Sequence, residues 1–338
     1  LPDQLTSADR AAGALWGLFL GDALAMPVHW YYDRQALFND YGEVRDLMAP
    51  LPVHPGSILH RSRYEHLNAD ADILHDQARY WGQRDVHYHQ HLQAGENTLN
   101  LQLTQLLLDQ LDEQGVYSSD LFLQEMIAFL RNPDSHRDTY VEEWARGFFT
   151  RRAQGLPLSR CAVEEKHIGG LVGATALLIA YHVEPDTGRV LAHEHLQLTH
   201  RGTHMAKALE AVADILQPVL AGKDLVQSVD QARRKNGNRF LTFDFAGYAR
   251  RDDLEVVGRV LSTACYVEEA VPAVFYLARK YAHQAEKALV ANTMAGGDNC
   301  HRGAILGALL GAQCGPEGWP LRWRQNLLYH PSLPLDAP

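Results

Sequence analysis

The sequence predicts an all-α protein folded as one compact, multi-helix domain. Three observations carry this. Apolar residues recur at three- and four-residue spacing in one segment after another, the period of an amphipathic helix. Alternating, strand-like runs are scarce, and residues 43–49 (EVRDLMA) are the one short candidate. Glycine returns at every fourth position in two segments, a spacing that lines one face of a helix. There is no internal repeat and no low-complexity tract. Residues 1–338 therefore read as a single domain, with 315–338 an irregular tail docked through Trp319, Trp323 and Tyr329.

In chain order, residues 13–27 (GALWGLFLGDALAMP) form the first laddered helix, on Gly13, Gly17 and Gly21. Residues 49–57 are a proline-marked surface loop. Residues 98–111 and 118–130 are apolar-striped helices, the second opened by serine caps, and 131–136 is a turn. Residues 202–220 and 265–281 are further helices, with a kink or start expected at Pro272. The last is the second laddered helix, on Gly303, Gly307 and Gly311. Glycine costs about 1 kcal/mol against alanine inside a helix. Three on one face make sense where another backbone comes very close. Two ladders packed together would bring Asp22 and Asp298, each at a ladder's end, toward one cleft.

Composition narrows the function. A net charge of −10 argues against binding nucleic acid or an acidic membrane surface. It fits a cytoplasmic protein that handles a small molecule or a loop on another protein. Four scattered cysteines, Cys161, Cys265, Cys300 and Cys314, form no CxxC pair and point to a reducing compartment. No secretory leader is visible, and no apolar run is expected to reach the roughly 18–20 residues that cross a bilayer. No GxSxG elbow, Walker loop or dinucleotide fingerprint occurs.

Two helix mouths are polar. Gly296 and Gly297 precede Asp298, Asn299, Cys300 and His301; Gly95 precedes Glu96, Asn97 and Thr98. Such residues cap helices, and helix N-termini also present N–H groups to anions such as phosphate. Gly169 and Gly170 lead into another helix in the same manner. Seven histidines lie between 54 and 91, among them His87, His89 and His91, which share a face only in an extended segment. A histidine metal site there, or plain surface histidines, are the alternatives. Four more occupy 192–204.

Three blocks resemble the ADP-ribosylglycohydrolase family, including its J1-crystallin-like branch: residues 13–30 with their GDA turn, 198–216, and 267–312. The resemblance implies a compact all-α domain with a cleft at the helix ends. It also implies two magnesium ions, held by a TDDT and a GGDTDT segment. Here those segments read GENT (95–98) and GGDNCH (296–301), and His29 stands where a further carboxylate is usual. Magnesium wants hard oxygen ligands. With Glu96 and Asp298 left of about four carboxylates, the substitutions argue against the paired centre; any metal would fall to those two.

The resemblance implies cleavage of an ADP-ribosyl or related N- or O-glycosidic bond, or else a non-catalytic binding or crystallin-like structural relative. The partner is an ADP-ribose-like small molecule or an ADP-ribosylated protein. For catalysis, Glu96 or Asp298 serves as base and His29 or His301 as acid. Asp22, Trp30, Asn97, Thr98, Gly169, Gly170, Gly296, Gly297, Asn299 and Cys300 contact substrate. Trp30, with Tyr31 and Tyr32, stacks on the base, and the helix-mouth amides hold the diphosphate. The scheme requires Glu96 and Asp298 on opposite walls of one solvent-filled hollow.

Overall fold

A computed structural model describes residues 5–235 and 237–334. Among them the long helices are α1 (Ser7–Ala25), α2 (Arg34–Tyr41), α3 (Leu99–Gln114), α4 (Ser119–Arg131) and α5 (Glu143–Ala153). Then follow α6 (Leu171–Ala180), α7 (Pro185–Thr199), α8 (Thr203–Leu220) and α9 (Leu225–Arg234). Two short turns, α10 (Phe245–Tyr248) and α11 (Asp253–Glu255), lead to α12 (Val267–Lys280), α13 (Ala285–Ala295), α14 (Asn299–Cys314) and α15 (Leu321–Asn326). Residues 43–49 form no strand; among the described residues the one sheet is a two-residue parallel pair, Val163–Glu164 with His200–Arg201. Pro272 lies inside α12, within its first two turns.

α1 and α14 are the central pair, and their ladders face each other in antiparallel order. A β-carbon on Gly13, Gly17 or Gly21 would be driven into Gly311, Gly307 or Gly303 respectively, and the reverse holds for each. Both backbones therefore touch through bare carbonyls, and only glycine permits this. Thr6 and Asp9 start α1 with a capping box, and Pro27 follows its end. By length and composition Ser7–Val28 could span a bilayer, contrary to the sequence expectation, but 89% of its most apolar stretch is buried in this molecule. Its apolar surface is used in the core, against α14, α6, α8 and α13.

The tail packs on this pair, in part as helix α15. Trp319 Nε1 donates to Gly13 O at 2.9 Å and Trp323 Nε1 to Arg45 O at 2.8 Å. The Tyr329 ring lies 4.7 Å from that of Phe19. The consequence for function is positional: antiparallel packing sets the end of α1 beside the start of α14.

Candidate functional site

At that junction the chain is held by backbone bonds. Gly296 and Gly297 have φ of 70° and 66°, a region closed to most side chains. Gly297 N–H donates to Tyr31 O at 2.8 Å, Asp298 N–H to Thr263 O at 3.0 Å, and Trp30 N–H to Gly297 O at 2.8 Å. These bonds lock His29 and Asp298 together and leave the Gly297 and Asp298 amides engaged with protein.

Asp298 is fully buried, and its Oδ1 is 3.1 Å from His29 Nε2 and 2.9 Å from His301 Nδ1. His29 Nδ1 lies 2.7 Å from His89 Nε2, and His89 Nδ1 lies 2.5 Å from Asp138 Oδ1. Asp138 Oδ2 accepts from Leu99 N–H at the start of α3 at 3.0 Å. On the other side, the Asn100 amide is 2.9 Å from both His301 Nε2 and Glu142 Oε2, and Trp144 Nε1 donates to Glu142 Oε2 at 3.1 Å. A β-carbon on Gly169 would press on Asn100, Glu142 and His301, so that glycine makes room for the cluster. One continuous polar chain thus runs from Asp138 to Trp144.

Burial raises a carboxyl's pKa, but His301 and His29 outweigh it and hold Asp298 well below its usual range. Burial pulls His301 down, yet the charges of Asp298, Glu142 and Asp22 lift it to about 10. Burial brings His29 down to about 3 despite Asp298. At neutral pH these shifts leave Asp298 an anion, His301 a cation and His29 neutral.

A narrow cleft opens onto this chain, lined by His29, Trp30, His89, Asn100, Tyr140 and Glu142 among others. Trp30, strained at φ 61°, stacks on His29 at 3.8 Å and meets Tyr140 edge-on at 4.9 Å. Tyr31 is buried beneath, bonded to Asp40, and Tyr32 is half exposed. Tyr31 cannot stack on a ligand.

Several residues singled out in the sequence lie elsewhere. Glu96 does not face Asp298: its carboxylate binds Arg137 at 2.7 Å and the Gln93 N–H at 2.8 Å, in a separate surface depression with Asp109 and Tyr329. Asn97 turns its amide inward to Phe19 O and Asp22 Oδ2, both at 2.9 Å. Thr98 lines the cleft but donates its hydroxyl to Asp22 Oδ1 at 2.7 Å, and its N–H to Oδ2 at 2.9 Å. Asp22, whose pKa burial raises, therefore anchors the start of α3. The Thr98 and Leu99 amides are engaged by Asp22 and Asp138, so that helix mouth offers neither to a diphosphate. Asn299 donates to the Val28 and Thr293 carbonyls, and Cys300 packs with Ala25, Met26 and Leu92, its thiol pushed far up by burial. Gly170 packs on the His200 ring.

Of the His87–His91 segment, His89 joins the site, His87 binds Pro27 O at 2.9 Å and His91 packs by Tyr80. Asn100, Asp138 and Glu142 carry no local motif, and nothing in the sequence distinguishes them. Among the described residues at the family-motif positions, Glu96 is away, Asn97 and Asn299 turn elsewhere, and the donors around Asp298 Oδ1 are two imidazoles.

Fold and site together define an all-α domain with a polar cleft at the ends of two glycine-apposed helices. The ADP-ribosylglycohydrolase family model matches residues 3–336, and the chain belongs to that family. The match assigns no branch within it. No curated protein matches the chain. A solved structure described as an "ADP-ribosylglycohydrolase-related protein complex" aligns over 96% of this chain and 94% of its own, with a TM-score of 0.63 at 20% identity. That likeness is one of fold.

Proposed function

We propose that this protein hydrolyses an ADP-ribosyl or related N- or O-glycosidic bond in the cleft above Asp298, at a centre altered from the two-magnesium pattern. Family membership supports the reaction class. The observation that carries the site is Glu142 Oε1, a buried carboxylate oxygen without a hydrogen-bond partner, 3.8 Å from His301 Nδ1. Glycoside cleavage needs a base for water, a proton for the leaving group and support for a cation-like sugar. Glu142 Oε1 takes the water's proton. His301, charged at neutral pH, returns one to the departing atom. Asp298, ionised but sealed behind His29 and His301, supports the developing positive charge across those rings rather than by contact. Trp30 and Tyr140 supply flat apolar walls.

A second reading has its own support. The free space in the cleft is about 10 Å³, room for about one water molecule, and the α3 amides are already engaged. Of the non-catalytic alternatives, a structural relative fits that closed geometry, and a ligand-binding one requires the cleft to open. Calorimetry with ADP-ribose, with and without magnesium, combined with turnover of an ADP-ribosylated peptide, separates the two. Binding with turnover supports the hydrolase. Binding without turnover under any metal supports the second reading, and turnover that strictly requires magnesium contradicts the altered centre.

A further inference from the structure

The site's donor atoms converge on a point rather than only on one another. We infer that His29, Asp298 and His301 form a binding site for a single divalent transition-metal ion of the zinc class. The inference stands whether or not the protein cleaves a glycoside; with an ion bound, His301 is a ligand and no longer the proton donor of the metal-free scheme.

Geometry is the first support. His29 Nε2, Asp298 Oδ1 and His301 Nδ1 all lie within 4.8 Å of one another, all on buried residues. Two of the separations are 3.1 and 2.9 Å. Zinc bonds of 2.0–2.1 Å in a tetrahedron put ligand atoms about 3.3 Å apart. Unsatisfied atoms are the second support. Asp298 Oδ2 and Glu142 Oε1 are buried with no partner, and the 2.9 Å ion pair of His301 Nδ1 with Asp298 Oδ1 is one that a metal held between the two atoms would replace. Buried polar atoms are rarely left in that state.

The surrounding hydrogen bonds are those a metal histidine needs. Asp138 faces His89 Nδ1, and His89 Nε2 faces His29 Nδ1. With both Nδ1 atoms protonated, carboxylate and two neutral rings connect in series, and the lone pair of His29 Nε2 is left toward Asp298. Binding through His301 Nδ1 leaves the ring proton on Nε2, so the Asn100 amide, whose nitrogen lies 2.9 Å from both Nε2 and Glu142 Oε2, must turn its oxygen to the ring and give up its bond to Glu142. Two imidazoles with one carboxylate suit borderline metals and not magnesium. The cleft side, where Glu142 lies, remains for a fourth ligand.

The test uses the full chain, stripped with chelator and titrated with Co²⁺ and Zn²⁺. We expect one equivalent of either per chain and visible cobalt bands of a four- or five-coordinate nitrogen–oxygen site. Zn²⁺ should quench those bands, and excess Mg²⁺ should not. His301→Gln should abolish them. His89→Gln should weaken binding about 10- to 100-fold through the positioning of His29, and His91→Ala should change nothing. A wild-type protein without stoichiometric cobalt bands overturns the inference, as do bands displaced by Mg²⁺ or bands that persist in folded His301→Gln. Should that variant not fold, the wild-type spectrum and the His89→Gln affinity still decide.

Discussion

His29 Nε2 stands 3.1 Å from Asp298 Oδ1, though 269 residues separate the two. The contact exists because α1 and α14 pack antiparallel, so the end of one helix meets the start of the other. Asp298 also neutralises His301, which makes it the electrostatic centre of the cluster. Asp298→Asn should lower turnover of an ADP-ribosylated peptide by about 10²–10³-fold. It should also cost on the order of 3–5 kcal/mol in denaturant unfolding, because a buried cation loses its counter-charge. Activity within a few-fold of wild type would remove Asp298 from the chemistry.

Glu142 and Glu96 make opposite predictions. Glu142→Gln keeps the shape of a side chain whose Oε2 accepts from Asn100 and Trp144, but removes the base. Turnover should fall at least about 10²-fold with a nearly unchanged melting temperature. Glu96→Gln loses a half-exposed ion pair with Arg137, a contact of about 0–1 kcal/mol, and should leave turnover unaltered. Steady-state kinetics on the two variants, beside their melting curves, decide between the carboxylates.

Gly307→Ala and Gly17→Ala place a methyl against a facing carbonyl with no flexible side chain to yield. Overpacking of this kind costs about 1–3 kcal/mol or more. Both variants should show lower denaturation midpoints, and turnover should fall with them as the His29–Asp298 junction separates. A midpoint equal to wild type would show that the helices do not approach this closely.

Stability should fall in acid. Burial brings His195 and His200 to about 3, from an ordinary value of 6.5. The unfolded chain then holds more protons between those values. The stabilisation is complete above about 6.5 and is lost as the pH falls toward 3. Chemical denaturation at stepped pH should give midpoints that decline over that window. His195→Leu, although it removes the partner of the Tyr117 hydroxyl, should make the decline shallower. An unchanged slope would show that His195 does not carry this linkage.

Much of the frame can be read from local pattern. The helical period, the serine start of α4 and the two glycine ladders depend on residues a turn apart, and a four-residue glycine spacing has few uses besides close backbone contact. The site could be read in part. Asp298, His29 and His301 were legible from the polar mouth of α14 and the end of α1. Glu96 was equally conspicuous in sequence, yet Arg137, 41 residues away, holds it at a different surface.

By itself, then, the sequence determined an all-α chain of this family, two helices that must touch backbone to backbone, and the aspartate at their junction. Tertiary structure alone decided which groups surround that aspartate. His89, Asn100, Asp138 and Glu142 arrive from loops and helix starts whose positions depend on packing across the whole domain. The physical reason is range: periodicity and capping act within a few residues, whereas charge and hydrogen bonding in a buried cluster act between whatever the fold brings within about 3 Å.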